Sequence, residues 1–125
     1  MNKKRIFIAC ADERLRIALL LHLENVPGIA LVGFTDRLKS LLPQLEASQA
    51  DVLLLEWQLT PQAMIDLLAK IHSLPQSPKV VYFSGGLEEE QQIRGAGIDY
   101  VILKNAPPDE LLPILNQIDL QSTNI

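Results

Sequence analysis

The sequence predicts an α/β fold: a single doubly wound (βα)5 sandwich around a five-stranded parallel sheet. Three observations carry this expectation. Five short runs are almost continuously apolar, Ile6–Ala11, Ile29–Phe34, Val52–Leu55, Val80–Phe83 and Tyr100–Leu103, as strands covered on both faces require. The segments between them place apolar residues at helical spacing instead. Proline, glycine and capping residues fall at the seams.

Taken in order, the first strand follows Lys3-Lys4-Arg5 and is cut by Asp12-Glu13-Arg14. Its six apolar residues are too few for an export signal and far short of the ~20 needed to span a membrane. Leu15, Ala18, Leu19, His22 and Leu23 then share one face of a first helix, and Pro27-Gly28 stops the chain before the second strand. Leu38, Leu41, Leu42 and Leu45 line a second helix, which tolerates Pro43 only if it starts late, near Ser40. After the third strand, Thr60-Pro61 is an N-cap with proline in the first helical position, opening a third helix lined by Met64, Leu67, Leu68 and Ile71. Pro75 to Pro78 precede the fourth strand; Glu88-Glu89-Glu90 suits the start of a short fourth helix anchored by Ile93 and Ala96. Pro107-Pro108-Asp109-Glu110 opens a fifth helix lined by Leu111, Ile114, Leu115 and Ile118, in which Pro113 should produce a bend. Right-handed crossovers leave few topologies. The expected order is 2-1-3-4-5, with helices one and five on one face and two, three and four on the other. One domain covers residues 1–120, and 121–125 form a tail.

Composition narrows the function. With 125 residues, 48% hydrophobic and 21% charged, the chain has an ordinary globular balance. Eleven Lys and Arg against fifteen Asp and Glu give a net charge of −4, which removes the basic footprint of an autonomous nucleic-acid binder. Cys10 is the single cysteine and has no internal disulfide partner, so a reducing, cytoplasmic setting is expected. Neither His22 nor His72 sits in a metal-ligand spacing, and Gly85-Gly86 is no phosphate-binding loop. No cofactor and no metal is expected.

Ligands of open α/β sheets bind beyond the carboxyl ends of the strands, where strand order reverses. For this order the point lies between strands one and three. The informative residues are therefore Cys10, Ala11, Asp12 and Glu13 after strand one, Glu56 and Trp57 at strand three, Ser84 at strand four and Lys104 at strand five. An acid, a hydroxyl and a lysine facing one another point to phosphoryl chemistry.

At these positions the sequence resembles the receiver domains of two-component response regulators, a flavodoxin-like family, from Lys4-Arg5-Ile6-Phe7-Ile8 to Leu111-Leu112-Pro113-Ile114. Asp51-Val52-Leu53-Leu54-Leu55-Glu56 is similar to the family's third strand, which ends in the aspartate that accepts phosphate from a histidine kinase. Val81-Tyr82-Phe83-Ser84 is similar to the fourth strand with its hydroxyl residue, and Gly97 to Lys104 to the fifth with its lysine. Lys104 to Leu112 is closest to receivers that precede a helix-turn-helix domain.

Departures from the pattern decide what the resemblance implies. Cys10 and Ala11 stand where the family has two acids holding Mg²⁺, Glu56 where it has the phospho-acceptor, and Val101 where many members have an aromatic residue that flips on activation. Only Ser84 and Lys104 match. Asp12 follows the acid-pair positions but is expected to begin the first helix rather than aim into the pocket. The resemblance thus implies a pseudo-receiver: not an enzyme, acting through protein contacts without phosphorylation, in a pathway that could be transcriptional. Glu56 is either a built-in mimic of the phosphorylated state or a local partner for Lys104. Cys10 is expected to be a small buried residue. The alternative function is a flavodoxin-like small-molecule or nucleotide binder using the same crevice, for which Trp57 is the only aromatic at the strand ends. A partner face is expected on helix five, whose outward arc, Pro113, Asn116, Gln117 and Leu120, carries no charge. Helix four and strand five lie beside it, and its partner is another protein or a second copy, with neither nucleic acid nor membrane bound directly.

Overall fold

The computed structural model describes residues 3–93 and 95–118. Its elements are β1 (Lys4–Cys10), α1 (Glu13–Leu23), β2 (Ile29–Thr35), α2 (Leu38–Ser48), β3 (Val52–Glu56), α3 (Pro61–His72), β4 (Lys79–Ser84), α4 (Leu87–Ile93), β5 (Tyr100–Leu103) and α5 (Leu111–Gln117). All strand pairs are parallel, in the order β2-β1-β3-β4-β5. This is the predicted topology, and the reversal lies between β1 and β3. Leu120 and the tail 121–125 lie outside the described residues.

Alternation along the central strands builds two cores. Ile6, Ile8, Val52, Leu54, Val81 and Phe83 face α1 and α5, meeting Leu19, Leu23, Leu111, Leu115 and Ile118. Phe7, Leu53, Leu55, Val80 and Tyr82 face the other way, against Leu41 and Leu45 of α2, Met64, Leu68 and Ile71 of α3, and Ile93 of α4. Each such side chain removed from water contributes roughly 1.5–3 kcal/mol, so the continuous apolar runs are what hold helices on both faces. β2 carries an irregularity against β1: Ile6 pairs with Leu31 but Phe7 with Gly33. A Cβ on Gly33 would lie 2.8 Å from the Phe7 ring, so glycine lets that ring pack flat on the strand.

Three expectations about helix ends change. α2 begins at Leu38, not near Ser40, and runs through Pro43. Burial of Leu41 and Leu45 outweighs the lost backbone hydrogen bond. α4 ends at Ile93, so Ala96 lies beyond it, after Gly95 at φ +87, though it packs against the same core. Residues Pro108–Glu110 form a separate 3-10 turn. This places Pro113 third in α5, within the first turn, where its missing N–H removes no intrahelical bond.

Candidate functional site

β1 and β3 pair up to Cys10 opposite Glu56, which sets the Glu56 side chain at the point where strand order reverses. Glu56 is 3% exposed. Its Oε1 accepts hydrogen bonds from the N–H groups of Ala11 at 3.1 Å and Asp12 at 3.0 Å. Its Oε2 accepts from the Lys104 ammonium at 3.1 Å. Both carboxylate oxygens are therefore occupied by the chain itself.

Lys104 leaves the end of β5, where its backbone N–H donates to the Ser84 carbonyl at 2.9 Å. Its Nζ also lies 3.1 Å from Asp12 Oδ2, so one cation bridges two carboxylates. Asp12 does cap α1, its Oδ1 accepting from Leu15 N–H at 3.2 Å. The expectation that it turns away from the pocket is corrected: its two oxygens diverge, one to the helix and one to Lys104. The cap on Leu15, followed by Lys104, lowers the Asp12 pKa below the ordinary carboxylate range. Partial burial works against the Lys104 charge, but Glu56 and Asp12 outweigh it and raise its pKa.

Cys10 is fully buried, its Sγ 3.2 Å from the Asp12 carbonyl and 3.5 Å from Glu56 Oε1. Burial first, then the Glu56 charge, push the thiol up to about 12. Held that high, the thiol stays protonated at neutral pH, and the thiolate is the form that attacks or binds metal. Ala11 is exposed and offers only its backbone.

Ser84 does not join this group. Its hydroxyl donates to the Gly86 carbonyl at 2.7 Å and accepts from Gly86 N–H at 3.1 Å. It belongs instead with a second cluster. Glu89 accepts from the Tyr82 hydroxyl at 2.6 Å and from Gly85 N–H at 2.7 Å, pinning the turn between β4 and α4. Burial, then Glu89, raise the Tyr82 pKa. The sequence reading missed Glu89 in this role. The available signal was its place as the third residue of α4, from which a glutamate reaches back to the N–H groups preceding the helix. Val101 is half-buried on β5 and pairs in register with Tyr82.

Mg²⁺ requires oxygen ligands in near-octahedral array. Here the corresponding positions supply a protonated thiol, a methyl group and carboxylates held by Lys104 and by backbone N–H groups, which do not fit that ion. Among the described residues, no group of three or more His, Cys, Asp and Glu is arranged to hold a metal. None of the helices among them is long and apolar enough to cross a membrane.

No protein-family model and no curated protein matches the chain. Solved structures do. The receiver domain of the response regulator NarL from Mycobacterium tuberculosis superposes with a TM-score of 0.80 at 18% identity, covering 94% of this chain and 96% of that one. The RcsB response regulator of Salmonella typhimurium gives 0.80 at 19% identity, covering 94% of this chain and 61% of that longer one. CheY6 from R. sphaeroides, solved with the P1 domain of CheA3, gives 0.76 at 17% identity, covering 94% and 98%. From β1 to α5, then, the chain has the fold of response-regulator receiver domains.

Proposed function

We propose that this chain is a receiver-fold signalling module that works without phosphorylation or Mg²⁺, presenting a fixed surface to a protein partner. One observation carries the reading: the carboxylate at the phospho-acceptor position, Glu56, has both oxygens committed to Lys104 and to the N–H groups of Ala11 and Asp12. Attack on a phosphoryl donor would have to compete with these contacts, and no acid pair is present at positions 10 and 11 to hold the metal that would assist it. The charged side chains at the strand-end crevice are paired with one another rather than left to meet a nucleotide or small molecule, which favours the interaction reading. Val101 has no ring to flip, and the nearby Tyr82 hydroxyl is tied to Glu89, so binding is constitutive.

Neighbours of the same fold act with proteins or DNA: CheY6 was solved with the P1 domain of CheA3, and the RcsB structure concerns DNA interaction. The net charge of −4 makes protein the fitting partner for this chain. The working surface is the outward arc of α5, where Pro113, Asn116 and Gln117 are exposed, with Leu120 following and α4 and β5 beside it. The partner is another protein or a second copy.

Asn116→Arg with Gln117→Glu is expected to lower self-association, measured by light scattering over a concentration series, or to abolish capture of the partners that the wild type retains from cell extract. Identical monomers holding identical partners would rule out this face.

A further inference from the structure

α1 carries more apolar surface than the sheet beneath it covers. Seven of its eleven residues are Leu, Ile or Ala, yet only Leu19 and Leu23 are buried. A helix that is apolar all round is ordinarily covered all round. Here Ile17 is 48% exposed and Leu21 65%, on the side of the helical wheel opposite the buried pair. Phe34 adds to this side of the molecule: it pairs in register with Ile8, whose side chain faces α1, and is 55% exposed. Single exposed leucines are ordinary, but Ile17 and Leu21 belong to a pattern.

The pattern runs Arg14, Ile17, Leu21, Glu24, at steps of three, four and three residues. These are the steps of a coiled-coil seam, and they keep the four side chains within an arc of about 80° along about 15 Å of helix. Arg14 and Glu24 are exposed, and neither has an ion-pair partner among the described residues. The stripe is its own complement. Turned end to end about Leu19, it sets basic on acidic and apolar on apolar, whereas a parallel copy would set Arg on Arg and Glu on Glu. An isologous twofold contact needs a surface of this kind.

We propose that this face takes a second copy of the chain, the two α1 helices lying antiparallel across a twofold axis at Leu19. Ile17 of each copy packs on the partner's Leu21, and Arg14 pairs with the partner's Glu24, each contact being made twice. Helices joined through such a seam cross at about +20° with their axes about 8–10 Å apart. The seam is small beside the ~800 Å² per partner of a stable interface, so the dimer is weak and depends on concentration. α5 lies on the same face of the sheet but takes no part in the seam, which leaves its outward arc for a protein of another kind. Each of the two surfaces can therefore fail without the other.

Sedimentation equilibrium of the full chain from about 10 to about 500 µM, a range suited to an interface this small, reads the association directly. The wild type should move from one chain toward two and stop there. Leu21→Glu, at an exposed position, should stay monomeric throughout and melt where the wild type does. Arg14→Glu and Glu24→Arg should each weaken association at least about fivefold, since the twofold turns two attractive contacts into two repulsive ones. Both substitutions suit the helix dipole, so neither threatens folding. The double variant Arg14→Glu with Glu24→Arg should return to within about twofold of the wild type, and an equal mixture of the two single variants should associate more tightly than either alone. Asn116→Arg with Gln117→Glu should leave this association unchanged. A wild type still monomeric at about 500 µM, a Leu21→Glu variant that pairs as the wild type does, or a double variant as weak as the singles would each overturn the proposal.

Discussion

Lys104→Met is expected to destabilise the chain by about 2–4 kcal/mol, read from the shift in urea midpoint. The variant removes the cation that bridges Glu56 and Asp12 and leaves a buried carboxylate with two backbone donors and the weak Cys10 thiol donor. Because the Lys104 side chain is 28% exposed, solvent screens part of the pairing and the low end of the range applies more naturally. The double variant Lys104→Met with Glu56→Gln should recover part of the loss, since a neutral amide no longer needs the cation. Unchanged stability in the single variant would mean that these groups meet without consequence. The pH dependence follows from the direction of each shift. Lys104 is raised, so its contribution is complete below the unfolded value near ~10.4 and is lost only as pH climbs through the higher folded value. Asp12 is lowered, so its contribution is complete above ~3.9 and is lost as pH falls through the lower folded value. Between about pH 5 and 9 the gap between wild type and variant should be flat.

A second large effect is a gain. Cys10→Asp, Ala11→Asp and Glu56→Asp together should create Mg²⁺ binding. The shortened side chain at 56 withdraws from the N–H groups of Ala11 and Asp12, and two new carboxylates join it at the strand ends. Three acids around one buried point repel each other, so without metal the triple variant should melt below the wild type. Added Mg²⁺ should raise its Tm in a concentration-dependent way, as binding to the folded state alone requires, and should quench Trp57, which is half-buried next to position 56. The wild type should show neither response. A triple variant indifferent to Mg²⁺ would mean that the pocket differs from a metal site by more than these three side chains.

The fold was legible because strands buried on both faces advertise themselves: Val52–Leu55 and Val80–Phe83 have no polar interruption, and Thr60-Pro61 and Pro27-Gly28 mark their seams. Helix ends were less so. Pro43 and Pro113 look alike in sequence, yet one sits inside α2 and the other in the first turn of α5, because burial of neighbouring leucines and a preceding 3-10 turn decide the start. At the site, strand-end position alone brought Glu56 and Lys104 together. Asp12 was read as a helix cap, which it is, but periodicity says nothing about where its second oxygen points. Ser84 was placed with Lys104 because both end strands; a rotamer that bonds Gly86 turns its hydroxyl toward α4 instead. The Tyr82–Glu89 contact joins a strand to the next helix across a turn and leaves no periodic trace.

The central claim is that the wild-type pocket is closed to phosphate by its own Glu56. Intact-mass spectrometry of the wild-type chain after incubation with acetyl phosphate and Mg²⁺ tests it most directly. The account predicts an unchanged mass; addition of one phosphoryl group, mapped by fragmentation to the strand-end pocket, would contradict it.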